Sequence, residues 1–407
     1  MARRSEKDFT RQRSLPLSTL VPLLLNFRKG AIRDELDQFT DALAADGASL
    51  REVTDSAFCR ARRKLKPEAL EHLNRILLES ATSRLQQKRW HGFRLLAVGG
   101  STARLPATDA IAEHFGGPKD CGVPMARFSR LYDVLNGLVI QADMVPYHTG
   151  ERELAAAYLL ETMTDDLTLY DRGYPAFWLF AFHHVENRHY CAQVKHDFHP
   201  EVENFLQSSE RTRTTMMKPG RSAARKCRDN YLPVEALPVR LIRVELNSGE
   251  TEVLITSLRD TEAYPTTWFS KLYALRWGVE ENYKQEKLRM EIENFSGLSP
   301  HVVYQDLYAK IIAQNLSAIM VFLAQWLANE LYGHRKHAYK INCANALSKM
   351  KNTLARMLMR TIAPAACWRL LQRIATSVEA VRPNRSYPRD MKKIHVNVFH
   401  PNYKRCR

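Results

Sequence analysis

Four side chains suited to phosphate and metal chemistry recur at helical spacing near residue 280. Tyr273, Arg276, Glu280 and Lys287 follow one another at steps of three, four and seven residues. They therefore share one face of a helix that the sequence predicts from about residue 266 to 293. Cations and hydroxyl donors bind phosphate oxygens, and a carboxylate binds a divalent metal, so this face suits phosphoryl transfer on nucleic acid. The alternative is a row of surface ion pairs, each worth about 0.3–0.5 kcal/mol.

A second candidate carboxylate, Asp171, follows the short apolar stretch at residues 167–170. This stretch predicts a buried strand. A carboxylate at the end of a strand in an α/β sheet faces the crevice in which ligands bind. Because Gly173 comes two residues later, the alternative is an aspartate that only forms a turn. Asp171 is therefore a candidate partner for Glu280 at a metal-dependent site.

The Y-x2-R-x3-E-x6-K spacing of the four helix residues resembles the signature of bacterial insertion-sequence transposases of the DDE class, specifically the insertion-sequence-four type. The Y-D-R-G-Y block at 170–174 resembles the segment around that group's second catalytic aspartate. Glu293–Gly297, after the helix, and Val53–Phe58, in the N-terminal part, are also typical of the group. The resemblance extends over nearly the whole chain.

This resemblance implies an α/β fold with a ribonuclease-H-like mixed sheet core. A β-rich insertion is expected at about residues 196–257, between Asp171 and Glu280. Helical N- and C-terminal parts would flank the core. We expect a helical DNA-binding domain at 1–88, the catalytic core at 89–300, and a helical C-terminal part with a basic tail at 301–407.

The resemblance also implies a role for each residue of the signature. Asp171 and Glu280 would be catalytic and would bind metal, and Tyr273, Arg276 and Lys287 would hold DNA phosphates near the cut. An intact family site would hold two Mg²⁺ or Mn²⁺ ions about 4 Å apart. Family members cut element ends and join the freed 3′-hydroxyls to target DNA. The implied partners are double-stranded DNA, both terminal inverted repeats and target, and a second subunit in a dimer on DNA.

One position departs from the family pattern. The first catalytic aspartate normally ends the first strand in a block of the form apolar-D-G-[ST]-T-x-R-L-P. The block at 98–106 here reads V-G-G-S-T-A-R-L-P, which puts Gly99 at the aspartate position. Glycine supplies no metal ligand, and the nearest downstream acid, Asp109, lies beyond Pro106. We therefore expect this chain to be severely impaired or inactive in strand transfer.

Gly99 keeps two rival functions open beside the transposase. One is a catalytically inactive transposase descendant that acts only as a DNA-binding protein or repressor. The other is a divalent-metal nuclease that shares the same residues but does not join strands. Restoring an aspartate at position 99 and analysing the DNA products would separate these three.

The charge of the chain favours polyanionic partners. It has 407 residues, a net charge of +16 and a pI near 9.5, which favours nucleic acid. Arg60, Arg63 and Lys64 share one face of a helix predicted to start at Thr54, and they are candidates for DNA contact. The alternative is a solvated surface helix. Two further basic concentrations are a predicted loop at 211–230 and the tail after residue 382.

Other patterns bound the function further. No apolar stretch reaches the ~20 residues of a membrane span, and no phosphate-binding loop motif is present, so neither a membrane nor a nucleotide cofactor is expected. The seven scattered cysteines and the absence of a signal-peptide pattern predict a cytoplasmic, nucleoid-associated protein. His183, His184, His189 and Cys191 cluster in sequence, but their spacing matches no tight zinc pattern.

Overall fold

The computed structural model describes residues 2–10, 15–26, 31–44, 53–119, 122–245, 249–276, 292–350, 353–359 and 363–381. The helices are α1 (Leu17–Asn26), α2 (Ile32–Ala44), α3 (Asp55–Arg62), α4 (Pro67–Arg84), α5 (Asp109–Phe115), α6 (Glu151–Leu159), α7 (Phe177–Val185), α8 (Pro200–Gln207), α9 (Arg221–Asp229), α10 (residues 267–276), α11 (Pro300–Tyr332), α12 (Cys343–Met350), α13 (Thr353–Leu358) and α14 (Pro364–Ala375). The strands are β1 (Arg94–Arg104), β2 (Met125–Asp133), β3 (Leu138–Pro146), β4 (Asp166–Tyr170), β5 (His189–Val194), β6 (Thr212–Met217), β7 (Leu237–Glu245), β8 (Thr251–Thr256), β9 (Tyr339–Ile341) and β10 (Val378–Ala380).

The chain divides into two compact units. The sheet unit comprises Gln86–Thr102 and Arg127–Gln285. The helical unit comprises Met1–Leu85, Ala103–Ala126 and Glu286–Arg407.

The sheet unit is built on eight strands in the order β3-β2-β1-β4-β5-β8-β7-β6. The β1–β4 and β4–β5 pairs are parallel, whereas β5–β8, β8–β7 and β7–β6 are antiparallel. The α/β class with a mixed sheet and flanking helices, as predicted from the sequence, is confirmed. The insertion strands extend the same sheet because β8 pairs with β5.

The central strands are apolar because parallel strands are covered on both faces. Residues 94–98 of β1 and all of β4 are buried. The turn that joins β2 to β3 contains Gly137, whose φ of 73° lies in the left-handed region that glycine tolerates without a steric cost. This is the hairpin that Asn136-Gly137 predicts.

The basic segment at 211–230 is not a loop, and that prediction is wrong. Its first half forms β6, which pairs with β7 over six residues from Thr212 to Met217. Its second half forms α9, which buries Cys227 and keeps its basic residues toward solvent. The many Lys and Arg side chains obscured a helix whose apolar anchor is a single cysteine.

The helical unit is organised around α11. Pro300 occupies the first turn of this helix, where a missing backbone N–H costs nothing. One apolar cluster joins α11 to α1, α2, α3 and α4, and a second joins it to α12, α13 and α14. The sequence predicts helix from Pro300 to about residue 380, and the short antiparallel pair β9–β10 interrupts that expectation.

Within the described residues, α11 alone is long and apolar enough to cross a membrane. Half of its most apolar 18-residue stretch is buried inside the protein. Polar side chains such as Gln305, Asp306 and Asn315 are buried along the same helix. This burial is what a core helix of a folded domain shows.

Candidate active site

The strand register brings three positions to one level of the sheet. The β1–β4 pairing ends with Ala97 opposite Leu169. Continuing the register by two residues places Gly99 opposite Asp171. The last pair of β4 with β5 is Tyr170 with Ala192, so one further residue places Gln193 beside Asp171. Neighbouring strands are about 4.8 Å apart, and this level lies toward the carboxyl ends of the parallel strands, where α/β sheets bind ligands.

Asp171 uses its two carboxylate oxygens differently. Oδ1 accepts a 2.6 Å hydrogen bond from the backbone N–H of Gly173, which closes the turn after β4. Oδ2 lies 3.8 Å from Nη1 of Arg276, whose side chain is only 6% exposed, whereas that of Asp171 is 32% exposed. Asp171 therefore both forms a turn and presents a carboxylate beside a buried cation. The two interpretations of Asp171 from the sequence, a turn-forming residue and a site carboxylate, are compatible.

Tyr273 is fixed by a chain of hydrogen bonds that crosses the sheet. Its hydroxyl donates to Oε1 of Gln193, and Nε2 of Gln193 donates to Oε1 of Glu252 over 2.6 Å. The guanidinium of Arg276 stacks over the Tyr273 ring at 5.4 Å. These contacts dock α10 on the edge of the sheet that holds Asp171.

Burial and charge set the protonation of this chain. Burial raises the pKa of Glu252, and the nearby Arg276 and Arg172 oppose that shift. Burial also raises the pKa of Tyr273, so its phenol stays protonated and able to donate. Neither Gln193 nor Glu252 was found from the sequence. Both lie on strands whose alternation gives no sign that their polar side chains converge near Asp171.

Gly99 is open to a side chain. A Cβ atom at this position would meet no heavy atom of the described residues within 4 Å, and the φ of Gly99 does not lie in the left-handed region. Nothing in the local backbone therefore requires glycine here. By contrast, a Cβ at Gly100 would lie 3.1 Å from the Tyr174 hydroxyl. Position 99 has space for the carboxylate that the family pattern places there.

The donor set of the described residues does not fit a two-ion site. Glu280 and Lys287 lie outside the described residues, and position 99 carries no carboxylate. No group of three His, Cys, Asp or Glu side chains within the described part of the chain could hold a metal ion. At this level of the sheet Asp171 faces a guanidinium.

The basic run at the end of α3 and just beyond it divides between surface and core, because the helix ends at Arg62 and Arg63 is its C-cap. Thr54 caps this helix, as predicted, by accepting from the Ala57 N–H at 3.2 Å. Arg60 and Arg63 are exposed, and Lys64 is half-buried and 3.9 Å from Asp8. These are the three residues predicted to contact DNA.

Arg62, in the same basic run, is instead buried in the helical unit. It lies 2.5 Å from Asp306 and 2.6 Å from the side-chain oxygen of Gln305, and it also donates to Ser296. The run of like charges in the sequence gave no sign of this role, because the partners lie more than 230 residues away.

The Glu293–Gly297 segment is anchored within the same unit. A carboxylate oxygen of Glu293 accepts from the Arg104 N–H at 3.2 Å. Lys310 donates to the Asn294 carbonyl at 2.6 Å, and the Ser296 N–H donates to Asp306 at 2.6 Å. This segment, which resembles one that is typical of transposases, is thus held in place by hydrogen bonds.

Comparison with known proteins adds to this geometry. A family model for the transposase DDE domain matches residues 90–316. Transposase InsG for insertion sequence element IS4 of Escherichia coli (strain K12) is 24% identical over 401 residues, spanning 94% of this chain and 86% of that protein. The cryo-EM structure of the piggyBac transposase synaptic complex with hairpin DNA is 12% identical, with a TM-score of 0.43, and the match covers 95% of this chain and 82% of that one.

Proposed function

Because the chain belongs to the transposase DDE-domain family, we propose that it is an insertion-sequence transposase whose DNA cleavage and strand transfer are impaired by Gly99. One observation carries this proposal. The β1–β4 register ends with Ala97 opposite Leu169, and its continuation by two residues puts position 99 opposite Asp171. A second carboxylate at position 99 would face Asp171 there, and glycine supplies none. The open space at position 99 supports this proposal, because an aspartate side chain would fit there and only the residue type removes the ligand.

Members of this family generally use divalent metal ions, and the proposed site assigns each residue a role toward them. Asp171 and Glu280 would hold Mg²⁺ or Mn²⁺. Such an ion would supply charge neutralisation at the scissile phosphate. Arg276 would bind phosphate oxygens of the DNA, together with Lys287. Tyr273, whose hydroxyl donates to Gln193, would serve by holding the guanidinium of Arg276 against its ring. The buried position of Arg276 keeps its charge directed toward the carboxylate edge rather than solvent.

The proposed partners are double-stranded DNA at the terminal inverted repeats and at the target, with two subunits on the DNA. The exposed Arg60 and Arg63, with Lys64, would contact the repeats through a helical N-terminal domain at 1–88. The core at 89–300 would carry the chemistry, and the part at 301–407 would complete the protein. Such a protein would act in the cytoplasm on the nucleoid.

The decisive experiment compares the natural chain with Gly99→Asp in a Mg²⁺-dependent cleavage assay on DNA carrying the terminal repeats. The variant is expected to cut and join ends at least a hundredfold faster. Gly220→Asp is the matched control, because it adds the same side chain in open space in the same unit, at the first residue before α9. It should leave the rate unchanged.

The inactive DNA-binding descendant is the second candidate, and Gly99 is the observation that favours it. If the natural chain and Gly99→Asp cut equally well, the proposed impairment is wrong. If both bind the repeats in a gel shift and neither cuts, the chain is a DNA-binding descendant. Nicked products without joined ends would instead indicate a metal-dependent nuclease.

A further inference from the structure

A small cavity lies in the sheet unit, away from Asp171. Its volume is about 140 Å³, and its lining includes His184, Arg188, His189, Tyr190, Ser257 and Arg259. His189 begins β5 and pairs with Leu167 of β4, whereas Asp171 follows the other end of β4. Four residues of strand separate the two levels, which corresponds to about 13 Å. The cavity is therefore separate from the proposed catalytic edge.

Two cations at this cavity lack a carboxylate partner. Within the described residues, neither Arg188 nor Arg259 forms an ion pair. The Nε of Arg188 is buried, and no described group accepts its hydrogen bond. The neighbouring Asp260 directs Oδ1 to the backbone N–H groups of Glu262 and Ala263, both at 2.9 Å. Two guanidinium groups that line one cavity without a carboxylate partner favour an added anion.

The end of α7 does not account for these arginines. A helix C-terminus carries partial negative charge and could by itself attract a cation. However, the last carbonyls of α7 already accept from the backbone. The N–H of Arg188 donates to His183 at 2.8 Å, and that of Asn187 donates to His184 at 3.3 Å. These two carbonyls are therefore already hydrogen-bonded, and they do not explain why Arg188 and Arg259 lie here.

The imidazole of His189 presents a donor. Ser257 Oγ accepts from the Tyr190 N–H at 3.1 Å and lies 3.3 Å from Nδ1 of His189. We assign the serine hydroxyl as the donor to this nitrogen. This assignment leaves the hydrogen of His189 on Nε2. Burial lowers the pKa of His189, so the ring is neutral at neutral pH in the empty cavity, and a bound anion would favour its protonation.

A metal ion does not suit this cluster. His183 uses both ring nitrogens, toward the Tyr170 hydroxyl at 2.9 Å and the Arg188 carbonyl at 3.3 Å. Burial lowers its pKa to about 3 and raises the pKa of the Cys191 thiol to about 12. Because His183 has no free ring nitrogen and the Cys191 thiol stays protonated, neither offers a metal ligand. The arginines are then the groups of this cluster that can bind a ligand. Arginine recognises phosphate through paired N–H groups.

We propose that this cavity binds a phosphate group, carried either by a small phosphate ligand or by a DNA backbone. Arg188 and Arg259 would neutralise it, and His189 would donate through Nε2. The space is large enough for a phosphate and too small to enclose a whole nucleotide. The inference goes beyond the proposed cleavage function and holds whether or not Gly99 blocks the chemistry.

The test uses the full chain without divalent metal. The variant Arg188→Gln with Arg259→Gln is compared with Lys336→Gln and Lys340→Gln, which remove the same charge at two exposed sites in the helical unit. One arm measures binding of inorganic phosphate and of thymidine 5′-monophosphate by calorimetry. The other arm measures binding of a duplex of unrelated sequence as salt is raised.

A tenfold or greater loss of phosphate affinity in the arginine variant, relative to the lysine variant, supports a small phosphate ligand. A salt dependence of duplex binding that is shallower by about 0.9 in logarithmic slope supports a DNA phosphate. Equal behaviour of the two variants in both arms overturns the proposal. Melting curves verify folding, and if the double variant does not fold, Arg259→Gln alone answers the same question because Arg259 is exposed.

Discussion

Arg276 and Asp171 form an ion pair of 3.8 Å at the edge of the sheet. Arg276 belongs to α10 and Asp171 follows β4, so the pair holds α10 against the end of that strand. The Tyr273–Gln193–Glu252 chain holds the same helix one turn earlier. The positions of these groups are thus decided by the sheet and are not left to substrate binding.

Replacing Arg276 tests whether its charge serves phosphate or stability. In the Gly99→Asp background, Arg276→Ala is expected to lower the cleavage rate at least a hundredfold, because a cation beside the scissile phosphate is lost. The free energy of unfolding should fall by about 1–3 kcal/mol, since a buried charge partner is removed. Arg276→Lys keeps the charge and should restore part of the rate. A large loss of melting temperature with normal cleavage would contradict this role.

Restoring the carboxylate at position 99 should make the melting temperature of the protein depend on Mg²⁺, and this effect can be measured without an activity assay. Gly99→Asp puts two carboxylates side by side, and their repulsion is relieved when a divalent ion binds. Melting temperature measured with and without 10 mM Mg²⁺ should therefore rise more in Gly99→Asp than in the natural chain. A ligand present at about 100 times its Kd stabilises by about 2.7 kcal/mol. Gly220→Asp is again the control, and an equal rise in all three proteins would argue against a restored site.

Three arginines at the end of α3, two in the helix and one at its C-cap, should respond differently to the same substitution. Arg62→Met should lower the free energy of unfolding by about 3–5 kcal/mol, because Asp306 would remain buried without its cation. Arg60→Met and Arg63→Met should change it by less than about 0.5 kcal/mol, because both side chains are exposed. The surface variants should instead weaken binding to DNA and make its salt dependence shallower. Urea unfolding and fluorescence anisotropy provide the two measurements.

His183 should make the fold sensitive to acid. Burial lowers its pKa from 6.5 to about 3, so the unfolded chain takes up a proton that the folded chain does not. The stability from neutral His183 is therefore present above pH 6.5 and is lost as pH falls toward about 3. His183→Gln should be less stable at pH 7, since the Tyr170 hydroxyl loses its partner, yet flatter between pH 6.5 and 4. Parallel pH profiles for both proteins would show that another group dominates.

Much of the fold follows from local patterns. The short apolar runs before Gly99 and Asp171, the Asn136-Gly137 turn and the Thr54 cap each act over a few residues. Such signals are legible because strand burial, turn geometry and helix capping depend on immediate neighbours. The failures are equally local. The 211–230 segment looked like a basic loop because charge hid the single buried cysteine of α9.

The sequence by itself determined the residue types of the site, including the absence of a carboxylate at Gly99, because residue type does not depend on folding. Only the tertiary structure decided which of these residues are neighbours. Parallel register sets Gly99 opposite Asp171, strand pairing adds Gln193, and a chain-distant hydrogen bond brings in Glu252. The same holds for Arg62, which is charged like its neighbours but buried, because its partner Asp306 is supplied by a helix far along the chain. Long-range pairing carries this information, and no local pattern encodes it.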